Sequence, residues 1–182
     1  MSTRALILID IQNDYFADGK WPLHGIDAAT ENAVRVLAAA RAAGDTVVHV
    51  RHEFQGDSAP FFAAGSAGAH IHGSVQPLAE ESVVLKHQVN SFRDTDLKAR
   101  LDKAGVEQVT LVGAMSHMCI DAAARASADY GYATTVIHDA CATRDQEFDG
   151  KHVPAPQVQA AYMAALAFAY ATVTSTEQYL AG

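Results

Sequence analysis

A chain of 182 residues with 49% hydrophobic and 19% charged residues can bury one sizeable core and is too apolar to be disordered. Its 21 acidic against 13 basic residues give a net charge of -8, which argues against nucleic acid or an anionic membrane surface as the main partner. The first apolar run, Ala5–Ile9, is too short for a signal-peptide core or a membrane span, so a cytoplasmic protein with one domain over residues 1–182 is expected.

Apolar runs of strand length alternate with helix-like segments, the pattern of a parallel sheet covered on both faces. Strands are predicted at Arg4–Ile9, Thr46–Arg51, Ser82–Lys86, Gln108–Val112, Ala133–His138 and Ala171–Ser175. Helices are predicted at Asp27–Ala43, closed by Gly44, and at Asp96–Ala104, closed by Gly105. A third runs from His117 to Tyr130 with Ser116 as its cap and Gly131 at its end, and a last one covers Gln157–Phe168. The expected fold is therefore α/β: a three-layer, Rossmann-like arrangement with a mostly parallel six-stranded sheet flanked by helices. Glu53 to Glu81 breaks the alternation, with Gly56, Gly65, Gly68, Gly73, Pro60 and Pro77 and little periodicity. A loop of that length reads as a lid or a substrate-facing wall, and the interspersed Phe61, Phe62, Ile71 and Val75 favour an ordered one.

In open parallel sheets, ligands bind beyond the carboxyl ends of the strands, so the residues that follow each strand carry the chemistry. The first strand delivers Asp10, the third Lys86, and the fourth leads through Gly113-Ala114-Met115-Ser116 to Cys119. With Ser116 capping, Cys119 falls in the first helical turn, where unpaired N–H groups and the helix dipole favour a thiolate. Ionising a thiol at neutral pH requires a drop of about two units from about 8.5, roughly 3 kcal/mol, and a helix end supplies at most about 2 kcal/mol. Lys86 is the nearest cation in the topology to supply the rest. Asp10 would accept the thiol proton and return it to the leaving group. Small residues in the turn before Cys119 would let its N–H groups form an oxyanion hole. Phe16, Trp21, Asn90 and Phe92 follow these strands and are candidate pocket residues.

Only two cysteines are present, too few for a disulfide framework, and Cys141, after Asp139-Ala140, reads as a structural thiol in a loop. His49 and His52 lie three apart and His70 and His72 two apart. Around His52 the chain reads Arg51-His52-Glu53, which lacks the Asp-x-His spacing of a credible zinc site, so neither a catalytic metal nor another cofactor is expected. His24, His87, His117, His138 and His152 read as structural or surface residues.

The segments ALILIDIQNDYF, EESVVLKHQVNSFRDTDL, VTLVGAMSHMCIDAAARASADYGY and TVIHDACATRD, spread over almost the whole chain, resemble the isochorismatase-like cysteine hydrolases. That superfamily includes nicotinamidase and N-carbamoylsarcosine amidase. The resemblance implies a triad of Asp10, Lys86 and Cys119, a cis peptide at Ala114–Met115, and an oxyanion hole from the N–H groups of Met115 and Cys119. It also implies a homodimer or homotetramer acting on a small molecule. Two departures bear on the substrate. The missing Asp-x-His argues against nicotinamide, and the presence of Cys119 argues against the vinyl-ether cleavage of true isochorismatases, which lack it. Hydrolysis of a C–N bond in an amide, ureide or carbamoyl compound is the expected reaction. The rival readings are an ether hydrolase, a non-catalytic dimerising module that kept the fold, and a thiol sensor pairing Cys119 with Cys141.

Overall fold

The first apolar run folds as β1 (Arg4–Ile9), and all five residues after Arg4 are buried. Burial on both sides of a strand needs covering helices above and below, which is why this segment is continuously apolar rather than alternating. The computed structural model describes residues 3–56 and 58–182; Met1, Ser2 and Asp57 lie outside them. After β1 come α1 (Ile26–Ala43), β2 (Thr46–His52), β3 (Ser82–Lys86), α2 (Leu97–Lys103) and β4 (Gln108–Ala114). A π-helical turn, Ser116–Ile120, leads into α3 (Asp121–Asp129) and then β5 (Ala133–Ala142). A hairpin of β6 (Gln146–Phe148) and β7 (Lys151–Val153) precedes α4 (Ala155–Ala169), β8 (Thr172–Thr174) and α5 (Thr176–Leu180).

Six strands form one sheet in the order β3-β2-β1-β4-β5-β8, and every neighbouring pair is parallel. The order reverses between β1 and β4, so the crevice of this doubly wound sheet opens at the carboxyl ends of those two strands. One face packs Leu6, Leu8, Val47, Val112 and Ile137 against Ala33, Val36, Leu37 and Ala40 of α1. The other packs Ile7, Ile9, Val50 and Leu111 against Leu97 and Leu101 of α2, Ala123 and Ala124 of α3, and Met163 and Leu166 of α4. Each large side chain buried this way contributes about 1.5–3 kcal/mol relative to exposure. Among the described residues no helix is long and apolar enough to cross a membrane.

The structure departs from expectation at four places. Met115, not Ser116, caps the turn before α3, and the Ser116 hydroxyl donates instead to the Ala142 carbonyl at 3.1 Å. β5 runs on to Ala142, so Cys141 lies in a strand opposite Gly113 rather than in a loop. The β6–β7 hairpin turns at Asp149-Gly150, both with positive φ (51° and 69°), a pair of residues suited to such a turn. α5 is short, and a capping box of Ser175 and Gln178 starts it.

Candidate active site

The end of β1 is turned sharply by Asp10, which sits in the left-handed region at φ 54°, a conformation that a short polar side chain tolerates better than most. Its N–H stays on the sheet, donating to Val50 O at 2.9 Å, while the carboxylate is fully buried. Lys86 ends the edge strand β3, whose burial alternates so that Val84 and Lys86 face the core while Val83 and Leu85 are exposed. Parallel register sets His52 of β2 opposite Lys86. From the other side of the crevice, β4 enters the π-helical turn that carries Cys119. Gly113 permits this: a Cβ there would lie 2.0 Å from the Ile9 carbonyl oxygen, and its φ is +125°. The Ala114–Met115 peptide bond is cis.

These elements bring Asp10, Lys86 and Cys119 together. The Lys86 Nζ lies 2.8 Å from Asp10 Oδ2 and donates to Cys119 Sγ at 3.3 Å, to the Gln88 carbonyl at 3.2 Å and to His52 Nδ1 at 2.8 Å. Asp10, His52 and Cys119 offer donor atoms within 4.8 Å of one another, a set that resembles a cation site. The Lys86 ammonium touches all three, so an incoming ion would have to displace it.

Burial works against charge throughout the cluster. It raises the Asp10 carboxyl above its ordinary range, with Lys86 opposing. Burial also disfavours the Lys86 ammonium, but Asp10 and Cys119 outweigh it and hold its pKa above the ordinary value. Cys119 corrects the expectation of a thiolate at neutral pH. Burial, followed by the Asp10 charge, pushes its thiol up to about 12 despite Lys86. The turn that carries Cys119 is closed by the Met118 and Ile120 N–H groups on the Met115 carbonyl; Met118 is exposed on it, while Cys119 itself is buried. Cys141 is also pushed up to about 12, by burial first, with the Asp139 charge adding and a Gly113 backbone hydrogen bond opposing.

A cavity of about 590 Å³ opens beside the turn, lined by Trp21, Phe61, Met115, His117, Met118 and Arg144 among others. Of the candidate pocket residues, only Trp21 lines it. Phe16 stacks on His72 at 3.8 Å and borders a different cavity, beside α1. Phe92 is buried in the core near Tyr130 and Tyr132, and the Asn90 side chain accepts the Phe92 N–H at 2.9 Å within a turn. His117, read from the sequence as structural or surface, lines this cavity and meets Thr143 Oγ1 at 2.6 Å. The Arg144 guanidinium lies 4.1 Å over the Trp21 ring, and among the described residues no carboxylate pairs with it. Another cavity, of about 430 Å³, lies among Arg4, Gln108 and Tyr179 at the amino ends of the strands, away from this chemistry.

Residues 53–81 are ordered across the described positions, and Phe61 brings them to the cavity wall. Gln12 ties them to the site, donating to the His52 and Ala69 carbonyls at 2.8 Å and accepting the His52 N–H at 2.7 Å. Asp14 accepts the Phe62 N–H at 2.6 Å. His52, Gln12, His117 and Arg144 are the site residues that sequence reasoning missed. A histidine at a strand end was visible, but its partner is set by strand register.

Residues 4–178 match the isochorismatase domain. The chain belongs to the isochorismatase family. An uncharacterized isochorismatase family protein of Bacillus subtilis, YddQ, is 47% identical over 98% of this chain and 99% of its own length. The crystal structure of an isochorismatase hydrolase from Oleispira antarctica superposes with a TM-score of 0.96 at 56% identity, covering 100% of both chains. A maleamate amidohydrolase of Pseudomonas putida is 31% identical over 79% of this chain and 74% of its own. Isochorismatase-family membership makes the protein a hydrolase, and its parallel six-stranded sheet flanked by helices matches the solved structure of the relative.

Proposed function

We propose that this isochorismatase-family hydrolase cleaves a C–N bond of a small amide, ureide or carbamoyl compound through a thioester on Cys119. The observation that carries the reading is the Lys86 ammonium, 2.8 Å from Asp10 and 3.3 Å from the Cys119 sulfur in a fully buried cluster.

At rest the cluster holds a carboxylate, an ammonium and a thiol, and its net charge is zero. Moving the thiol proton to Asp10 leaves a carboxylic acid, an ammonium and a thiolate, also net zero. The Asp10 charge, which raises the thiol pKa, vanishes in that step, while the stabilising Lys86 charge remains, so the two titrations are coupled. The thiolate then attacks the carbonyl carbon. The N–H groups of Met115 and Cys119 receive the oxyanion in this reading, with the Ser116 hydroxyl turned away to Ala142. Asp10 protonates the departing amine, next deprotonates water for attack on the thioester, and the proton returns to sulfur as the acid leaves.

Arg144, with no carboxylate partner among the described residues, supports a substrate that bears a carboxylate beside its amide. The maleamate relative is in keeping with this. Ammonia release from a panel of primary amides, ureides and carbamoyl compounds, with and without a carboxylate, tests the reading. Turnover is expected on at least one carboxylate-bearing member. Cys119→Ala should abolish it and Cys141→Ala should spare it, and Arg144→Met should raise KM by about tenfold or more. A Cys119→Ala variant that still hydrolyses the substrate overturns the thioester route.

A further inference from the structure

We infer that His52 is a positioning residue: its neutral ring accepts a hydrogen bond from Lys86 at Nδ1 and so fixes the ammonium between Asp10 and Cys119. This rests on the cysteine-dependent reading and deepens it.

The geometry is that of a built contact. His52 is only 4% exposed, and its Nδ1 lies 2.8 Å from the Lys86 Nζ across the β2–β3 register. An ammonium has three hydrogens and no acceptor. It faces four acceptors here, Asp10, Cys119, His52 and the Gln88 carbonyl, so any rotation about the final bond exchanges partners. Because Lys86 can only donate, Nδ1 must present its lone pair, and the ring proton sits on Nε2. His52 is itself held on both sides. Gln12, fully buried, clamps its backbone N–H and carbonyl, and the Phe54 ring lies 4.4 Å from its imidazole.

The Nε2 of His52 is buried without a partner among the described residues. An unpaired buried donor is unfavourable, and an apolar side chain at this position would remove it. A histidine stands here despite that penalty, and what its ring supplies is the hydrogen bond to Lys86. Burial first, then the charges of Lys86 and His87, holds the imidazole pKa down to about 3, so the ring stays neutral at working pH. The titratable groups that face the ammonium are Asp10, Cys119 and His52, and the thiol is also near Tyr15, whose buried phenol stays protonated. Without the His52 acceptor the buried ammonium loses a partner and is free to turn from the sulfur. The thiolate then loses part of its stabilising charge.

Two measurements test this. The ring nitrogens of His52 in the unmodified protein, read by nitrogen-15 NMR, should show an unprotonated Nδ1 and a protonated Nε2. A protonated Nδ1, or an imidazolium at neutral pH, overturns the inference, and this readout needs no variant to fold. The second compares His52→Leu, which removes the acceptor, with His52→Asn, whose carbonyl can replace Nδ1. His52→Leu should lower kcat by about tenfold or more with KM changed less than about threefold. It should also slow iodoacetamide labelling of Cys119 at a fixed pH, followed by mass spectrometry, by about tenfold. His52→Asn should recover most of both. Unchanged labelling and kcat in His52→Leu overturn the positioning role while leaving the thioester route intact. Full activity after complete labelling of Cys119 in the unmodified protein overturns both.

Discussion

Gly113 shows how one residue decides whether the site can assemble. Its absent side chain lets β4 pass within contact of the Ile9 carbonyl, at the point where both strands give way to site residues. Gly113→Ala combines a clash at 2.0 Å with a left-handed φ, so it should destabilise the protein by more than about 2 kcal/mol, seen as a lower midpoint in chemical denaturation. An unchanged midpoint would mean that β4 relaxes away from β1 without penalty. The two thiols make a related point. Both are pushed up to about 12, so thiolate population does not distinguish them. A proton acceptor and a cation do, and only Cys119 has Asp10 and Lys86 in contact.

At the scale of elements, the segment from Glu53 to Glu81 is held at both ends. Near its start, Phe61 and Phe62 pack on Tyr15, Phe54 meets Phe61 edge-on, and Asp14 receives the Phe62 N–H. Gly68 lies so close to Asp14 that a Cβ would fall 2.1 Å from its carboxylate. At the far end, Glu81 accepts from Arg41 of α1 at 2.7 and 2.8 Å and meets the buried His49 of β2 at 3.0 Å. The Arg41 hydrogen bond, with further help from Leu78 N–H and His49, holds the Glu81 carboxyl down to about 2 against its burial. A depressed carboxyl stabilises the fold above its ordinary value of 4.5 and loses that contribution as pH falls toward about 2. Stability against denaturant should therefore decline across that window, and Glu81→Gln should flatten the decline. Parallel curves for the two proteins would show that the latch contributes nothing to the pH dependence.

For the whole molecule, the sheet order brings four strand ends to one crevice: Asp10 from β1, His52 from β2, Lys86 from β3, and Cys119 after β4. The cation at the centre of this set is the chain's own ammonium, in contact with every donor that a small metal ion would use. Hydrolysis should therefore survive prolonged EDTA treatment without recovery on added zinc. Loss of turnover that zinc restores would place a metal where Lys86 now sits.

Asp10, Lys86 and Cys119 were legible in the sequence because each follows an apolar run whose burial is dictated by composition, and a sheet of such runs directs its carboxyl ends to one edge. The strands, the long helices and the aromatic insert were legible for the same reason: periodicity and apolar content act locally. The Asp149-Gly150 turn and the capping box at Ser175 carry local signals of the same kind, but neither was read from the sequence. Tertiary structure alone decided the rest. That Lys86 meets His52 depends on register between β2 and β3, which no stretch of either strand contains. That Arg144 and Phe61 share a cavity wall depends on how two segments far apart in the chain come together beside the turn before α3. The ionisation of Cys119 was decided there too, since a helix start argues for a thiolate, whereas burial, a property of the packed whole, outweighs the nearby cation and keeps the resting sulfur protonated.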